Sequence, residues 1–99
     1  MKYIVWFEDN LNADTGIRER LMADHLAFLK ANGGSVHEAG PLISLQGAVE
    51  GGLWTVDADS EADVVKLVEE DPFWPTGLRK SFRILRWKQV FANGQPLQA

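Results

Sequence analysis

The 99-residue chain contains no cysteine, which excludes disulfides, thiolate metal sites and cysteine nucleophiles together. Histidine is scarce as well: His25 and His37 are the only two. A metal site would need both to converge with Asp71, and nothing in their spacing requires it, so no metal is expected. No stretch approaches the ~18 consecutive apolar residues of a membrane span, and the opening MKYIVWF lacks the apolar core of a signal peptide. These absences lead to the expectation of a cytoplasmic protein with no membrane partner. Glycine-rich phosphate loops are missing too, because Gly33-Gly34 ends a helix and Gly51-Gly52 begins a strand, neither leading into a helix N-terminus. Positive charge is in deficit, with a formal net charge of −4. The basic residues are scattered except for Arg79, Lys80, Arg83, Arg86 and Lys88. That run falls on both parities of a strand-like segment and reads as a solvated edge, so nucleic acid is not expected as a partner.

What is present suits one small globular domain, residues 1–92, with a short tail over 93–99 that is expected to be frayed; 45% of the chain is hydrophobic. Lys2 to Phe7 is an apolar, aromatic and β-branched run, expected as a buried strand. A polar loop from Asn10 to Thr15 leads into an amphipathic helix ending at about Ala31, where Asn32, Gly33 and Gly34 stop it. Val36 to Ser44 reads as extended, with Gly40 and Pro41 marking a bulge or an edge. Another strand is expected near Gly51 to Val56. Ser60 caps a second helix carrying Glu61 and Asp63 in its first turn, where the macrodipole favours negative charge. Two prolines in Asp71-Pro72-Phe73-Trp74-Pro75 end it. Lys80 to Phe91 then reads as the longest strand. The order β-α-β-β-α-β is the ferredoxin-like split βαβ pattern, an α+β fold with a four-stranded antiparallel sheet and both helices on one face. The other face then presents either Tyr3, Val5 and Phe7 or Ile4 and Trp6. A second copy of the chain is the simplest cover for it, giving a homodimeric α+β barrel.

His25 is the residue that asks for an explanation. At about 100° per residue, Ile17, Leu21, Met22, Leu26, Phe28 and Leu29 form one half of the first helix, and His25 lies near the centre of their arc. An imidazole there is either a satisfied core histidine or a pocket-facing acid or base, since its unperturbed pKa lies near neutrality. Asp71 also has two readings. Asp followed by Pro is a common helix start, with Asp as N-cap; alternatively, a carboxylate on one imidazole nitrogen fixes the tautomer and aims the other nitrogen at a substrate. Because asparagine can still cap a helix but cannot stabilise an imidazolium, Asp71→Asn is expected to melt near wild type while losing activity or ligand affinity by ~10²-fold or more. Trp6, Trp54, Trp74 and Trp87 either fill the core and a subunit interface or line a pocket for a planar ligand, with Trp74, three residues from Asp71, the nearest candidate.

Four segments combine at definite intervals: His25-Leu26-Ala27-Phe28-Leu29, Ala39-Gly40-Pro41, Asp71-Pro72-Phe73, and Trp87-Lys88-Gln89-Val90-Phe91. Together they resemble the YciI-like (YCII-related) family of dimeric α+β barrel proteins, over nearly the whole chain. The resemblance implies a ferredoxin-like homodimer with an active site built on His25 and Asp71. It also implies proton movement without a cofactor: some relatives eliminate chloride from hydroxylated aromatic rings, and the wider superfamily includes muconolactone isomerase. Many members carry Arg three residues before the His, where this chain has Met22; Arg18 is a candidate substitute for gripping an anion. On this basis Arg18, Gly40, Pro41, Phe73 and Trp74 are expected to bind the substrate. The expected activity is that of a lyase or isomerase acting on a small cyclic or aromatic anion. The rival readings are a metabolite-binding module using the same pocket and a domain serving mainly for dimerisation.

Overall fold

The structure, a computed structural model, describes residues 1–97. Strands β1 (Lys2–Asp9), β2 (Val36–Ile43), β3 (Val49–Asp57) and β4 (Arg79–Arg86) form a sheet in the order β2-β3-β1-β4, with every neighbouring pair antiparallel. Helices α1 (Ile17–Ala31) and α2 (Glu61–Glu70) connect them as the split βαβ pattern requires. The alternation within β1 decides which face the helices cover. Tyr3, Val5 and Phe7 are buried and cluster with Trp54 and Val56 of β3 and with Val64 and Val68 of α2, while Ile4 and Trp6 take the helix-free face. Ser60 accepts a hydrogen bond from the Asp63 backbone N–H at 3.2 Å and so caps α2 as its sequence indicates. Among the described residues no helix is long and apolar enough to cross a membrane.

Three features of the backbone shape the site. Edge strand β2 accommodates Gly40 and Pro41 because its outer side has no neighbour, and its register shifts at both ends. Gly51 runs so close to β1 that a Cβ there would overlap the Phe7 carbonyl oxygen, so only glycine fits. Opposite β1, Glu8 pairs with Ser81 but Asp9 pairs with Arg79. Lys80 is left out of the ladder as a bulge, and Arg79 takes the inward place that strict alternation from Phe82 and Ile84 would assign to Lys80.

Two expectations are corrected at the C-terminal end. The last strand does not run from Lys80 to Phe91: the β1 ladder gives out at Lys2, whose carbonyl accepts from Trp87 N–H at 2.9 Å, and the strand ends for want of a partner. Nor is the segment after Ala92 without structure. Phe91–Ala92 (β5) and Gln95–Pro96 (β6) form a small hairpin. Its two-residue turn, Asn93 (φ 53°) and Gly94 (φ 75°), has both residues left-handed, the geometry that Asn-Gly favours. Residues 98 and 99 lie outside the described residues.

Candidate active site

In the middle of α1 His25 is buried, whereas the neighbouring Leu26 is 55% exposed and Met22 and Leu29 are half-buried. The apolar half of this helix is therefore only partly packed, because a pocket opens beneath it. Its volume is about 130 Å³, close to the ~150 Å³ apolar cavity that accepts a benzene ring. Met22, Leu26 and Leu29 of α1, Pro41 of β2 and Trp54 of β3 give it apolar walls, and Gly40, Gly51 and Gly52 keep the sheet side flat.

Asp71 organises the polar end. It is fully buried at the end of α2, and both of its carboxylate oxygens are hydrogen-bonded. Oδ1 meets His25 Nδ1 at 2.8 Å and accepts from the Phe73 backbone N–H at 3.2 Å; Oδ2 accepts from Arg79 at 2.6 Å. The turn bond to Phe73 and the bond to His25 coexist on one oxygen. Pro72 helps by fixing the backbone between them, while Phe73 stacks on the imidazole with ring centres 4.2 Å apart at 24°. Burial pushes the Asp71 carboxyl up, but the His25 hydrogen bond, the Arg79 charge and the Phe73 N–H outweigh it and hold the group below the usual carboxylate range. The carboxylate is thus ionised and can only accept, which puts a proton on His25 Nδ1 and leaves Nε2 as the bare nitrogen of the neutral ring. Nε2 has no hydrogen-bond partner among the described residues, and no buried side-chain polar atom there lacks one. Nε2 is therefore not sealed inside the protein, and His25 is one of the residues that line the pocket.

Arg18 and Arg79 also line the pocket. Arg18 is paired with Asp9 at 3.0 Å and lies 5.9 Å from the Phe73 ring centre. Of the residues singled out from the sequence, His25, Arg18, Gly40, Pro41 and Phe73 meet at this cavity, with Asp71 directly behind His25. Trp74 does not: it packs edge-on against Phe82 at 5.1 Å. Of the other tryptophans, Trp54 alone reaches the pocket. His37 lies on β2 with its Nε2–H donating to the Gly34 carbonyl at 3.3 Å, away from His25. Arg79 is the residue that sequence reasoning missed. Lys80, Arg83, Arg86 and Lys88 are exposed as expected of a solvated edge, but Arg79 is buried. The bulge at Lys80 inverts the parity, and no feature of the local sequence announces that bulge.

Residues 1–88 match the YCII-related domain. The chain belongs to that family. Among solved structures it is similar to 5-chloro-2-hydroxyhydroquinone dehydrochlorinase (TftG) of Burkholderia phenoliruptrix, in complex with 2,5-dihydroxybenzoquinone, with 26% identity, 89% of this chain and 94% of that one covered, and a TM-score of 0.77. The At3g17210 protein of Arabidopsis thaliana matches at 13% identity over 93% and 97% of the two chains with a TM-score of 0.48. A dimeric protein of ferredoxin-like fold from Bacteroides fragilis matches at 15% identity over 85% and 90% with a TM-score of 0.47. No curated protein matches the chain.

The Arg79 contact revises the expectation that Asp71→Asn spares the fold. Removing the carboxylate leaves a buried guanidinium without its counter-charge, which should cost about 3 kcal/mol or more at neutral pH. Because the folded Asp71 pKa is depressed, its contribution is fully present above the ordinary carboxylate value of about 3.9 and is lost as pH falls through the lower folded value. Thermal melts of the two proteins should therefore differ most near pH 7 and converge in acid below about pH 4. A constant difference across that range would contradict the pairing.

Proposed function

We propose that this YCII-related protein is a small cofactor-independent enzyme of the lyase or isomerase type, with His25 as the base and Asp71 as the residue that orients it. The observation that carries the proposal is the 2.8 Å contact of Asp71 with Nδ1 of His25, a residue that lines a pocket the size of one ring. The likeness to TftG supports the same chemistry, since that protein is a dehydrochlorinase captured with a ring compound. The substrate is a small cyclic or aromatic molecule with a weakly acidic proton, such as a hydroxylated ring. Nε2 removes the proton, while Asp71 holds the ring in the tautomer and orientation that can accept it. The electron pair released into the ring either expels a leaving group from a neighbouring carbon, as in loss of chloride, or takes the proton back at a different atom, as in an isomerisation. Arg18 lines the pocket where negative charge develops on the ring. Met22, Pro41 and Trp54 exclude water, and Phe73 holds the plane of the imidazole.

The test is turnover of chlorinated hydroquinones and of unsaturated lactones, followed by chloride release and by ultraviolet absorbance. Activity should appear with at least one member of this set, and His25→Ala should lower kcat by ~10²-fold or more, the usual contribution of a general base. Tight binding of these rings with no turnover would overturn the enzyme reading in favour of a binding module.

We propose further that the working unit is a homodimer built by apposing two helix-free sheet faces. That face carries Trp6, 52% exposed, opposite Leu53 of β3, and Ile4 opposite Leu85 of β4, which is 40% exposed; Ile4 and Leu53 are half-buried. An apolar surface of this kind on a small domain is stabilised by a partner. Light scattering at micromolar concentration should give twice the chain mass of 11.1 kDa, with an interface of ~1,600 Å² or more. A stable monomer that Trp6→Lys leaves unchanged would contradict it.

A further inference from the structure

The buried Arg79 has no place in a two-residue acid–base pair, yet the fold goes to some length to hold it. Its guanidinium sits 3.9 Å over the Phe7 ring centre, 5.4 Å from that of Phe73 and 5.6 Å from that of Trp54, with its side chain 6% exposed. The bulge at Lys80 puts it there. Its NH1 bonds to the Asp71 oxygen that His25 does not use.

The charges around His25 can be counted. Arg18 comes from its own helix, Asp9 from β1, Arg79 from β4 and Asp71 from the segment after α2; the pocket residues of β2 and β3, Ala39, Gly40, Pro41, Gly51, Gly52 and Trp54, are uncharged. Two guanidiniums balance two carboxylates, so the site is neutral while the imidazole is neutral. Were Asp71 paired with His25 alone, a buried carboxylate at 2.8 Å would stabilise the imidazolium as its counter-ion, and a ring already protonated accepts no proton from a substrate. Arg79 removes that demand because it has already met the carboxylate's charge. A proton on His25 then leaves one unbalanced positive charge in a low-dielectric site, and the balance is restored when a monoanion occupies the pocket.

Building on the acid–base reading above, we infer that Arg79 is a positioning residue: fixed on the far oxygen of Asp71, it supplies the counter-charge that lets Asp71 orient His25 while the ring stays free to accept a proton. The catalytic consequence is that proton transfer to Nε2 is coupled to formation of a single negative charge on the ring of the substrate. A substrate that enters as a weak neutral acid and leaves a monoanion in the pocket meets this requirement.

The test follows the imidazole nitrogens of His25 by ¹⁵N nuclear magnetic resonance through a pH titration of the ligand-free protein, so it needs no substrate and does not depend on turnover. In Arg79→Gln, which keeps a donor for Asp71 but removes the charge, the pH at which the ring takes up its proton should move upward by about one unit or more. Arg79→Lys should titrate as wild type. An unchanged titration in Arg79→Gln would overturn the inference even if turnover is found, whereas the expected shift without turnover would leave the charge balance standing and remove the enzyme reading. Should Arg79→Gln not fold, the double variant Asp71→Asn/Arg79→Gln, which leaves no buried charge unpaired, takes its place. There His25 should titrate close to wild type, because both members of a neutral pair have gone; titration well below wild type would mean that Asp71 acts on His25 uncompensated, against the inference. Where turnover is measurable, Arg79→Gln should also shift the acid limb of the kcat/KM profile upward while sparing the rate at high pH, an effect that a merely structural residue would not produce.

Discussion

A single carboxylate with no exposure to water stands between an imidazole and a guanidinium, and the site is built around the need to satisfy it. Burying Asp71 without partners would cost several kcal/mol; His25, Arg79 and the Phe73 N–H supply three donors shared between its two oxygens. Each partner arrives from a different part of the fold. His25 comes from the middle of α1, Phe73 from the turn after α2 and Arg79 from the first residue of β4, so the contact joins three segments that the sheet alone would not hold together. The same contact fixes the tautomer of His25, and through it the atom that faces the pocket.

The pocket exists because the packing is incomplete at one place. α2 buries Val64 and Val68 against the sheet and closes its half of the core. α1 buries only Ile17 and His25, and its Met22, Leu26 and Leu29 line a space. Gly52 on β3 deepens that space by presenting backbone where a side chain would protrude. A void of one ring's volume with a polar end is costly for a domain of this size, and its presence is the physical reason to regard it as a binding site.

Much of this was legible in the sequence, for reasons that can be assigned. The periodicity of Lys2–Phe7, the cap at Ser60 and the two prolines after Asp71 are local signals, and they located the elements and their order. The pair of His25 and Asp71, 46 residues apart, was brought forward by the motif resemblance, and the split βαβ topology explains how the two can meet. What was not legible depends on register. Arg79 reads as one member of a basic run until a bulge turns it inward, and bulges are set by the strand opposite. Trp74 lies three residues from Asp71 yet turns toward Phe82, because the short 3₁₀ turn at Trp74–Thr76 carries it around to the core. The end of β4 was equally hidden, since it is fixed by where β1 begins.

The account rests on His25 Nε2 being the open, proton-accepting atom of a ring-sized site. A crystal structure of the protein grown with 2,5-dihydroxybenzoquinone, the ring compound held by TftG, tests it most directly. The account predicts the ring between Phe73, Pro41 and Trp54, with an oxygen or ring carbon about 3 Å from Nε2 and the bond from Asp71 to Nδ1 intact. A ring held elsewhere on the protein, or one seated in the pocket with Nε2 turned away toward another protein group, would contradict it.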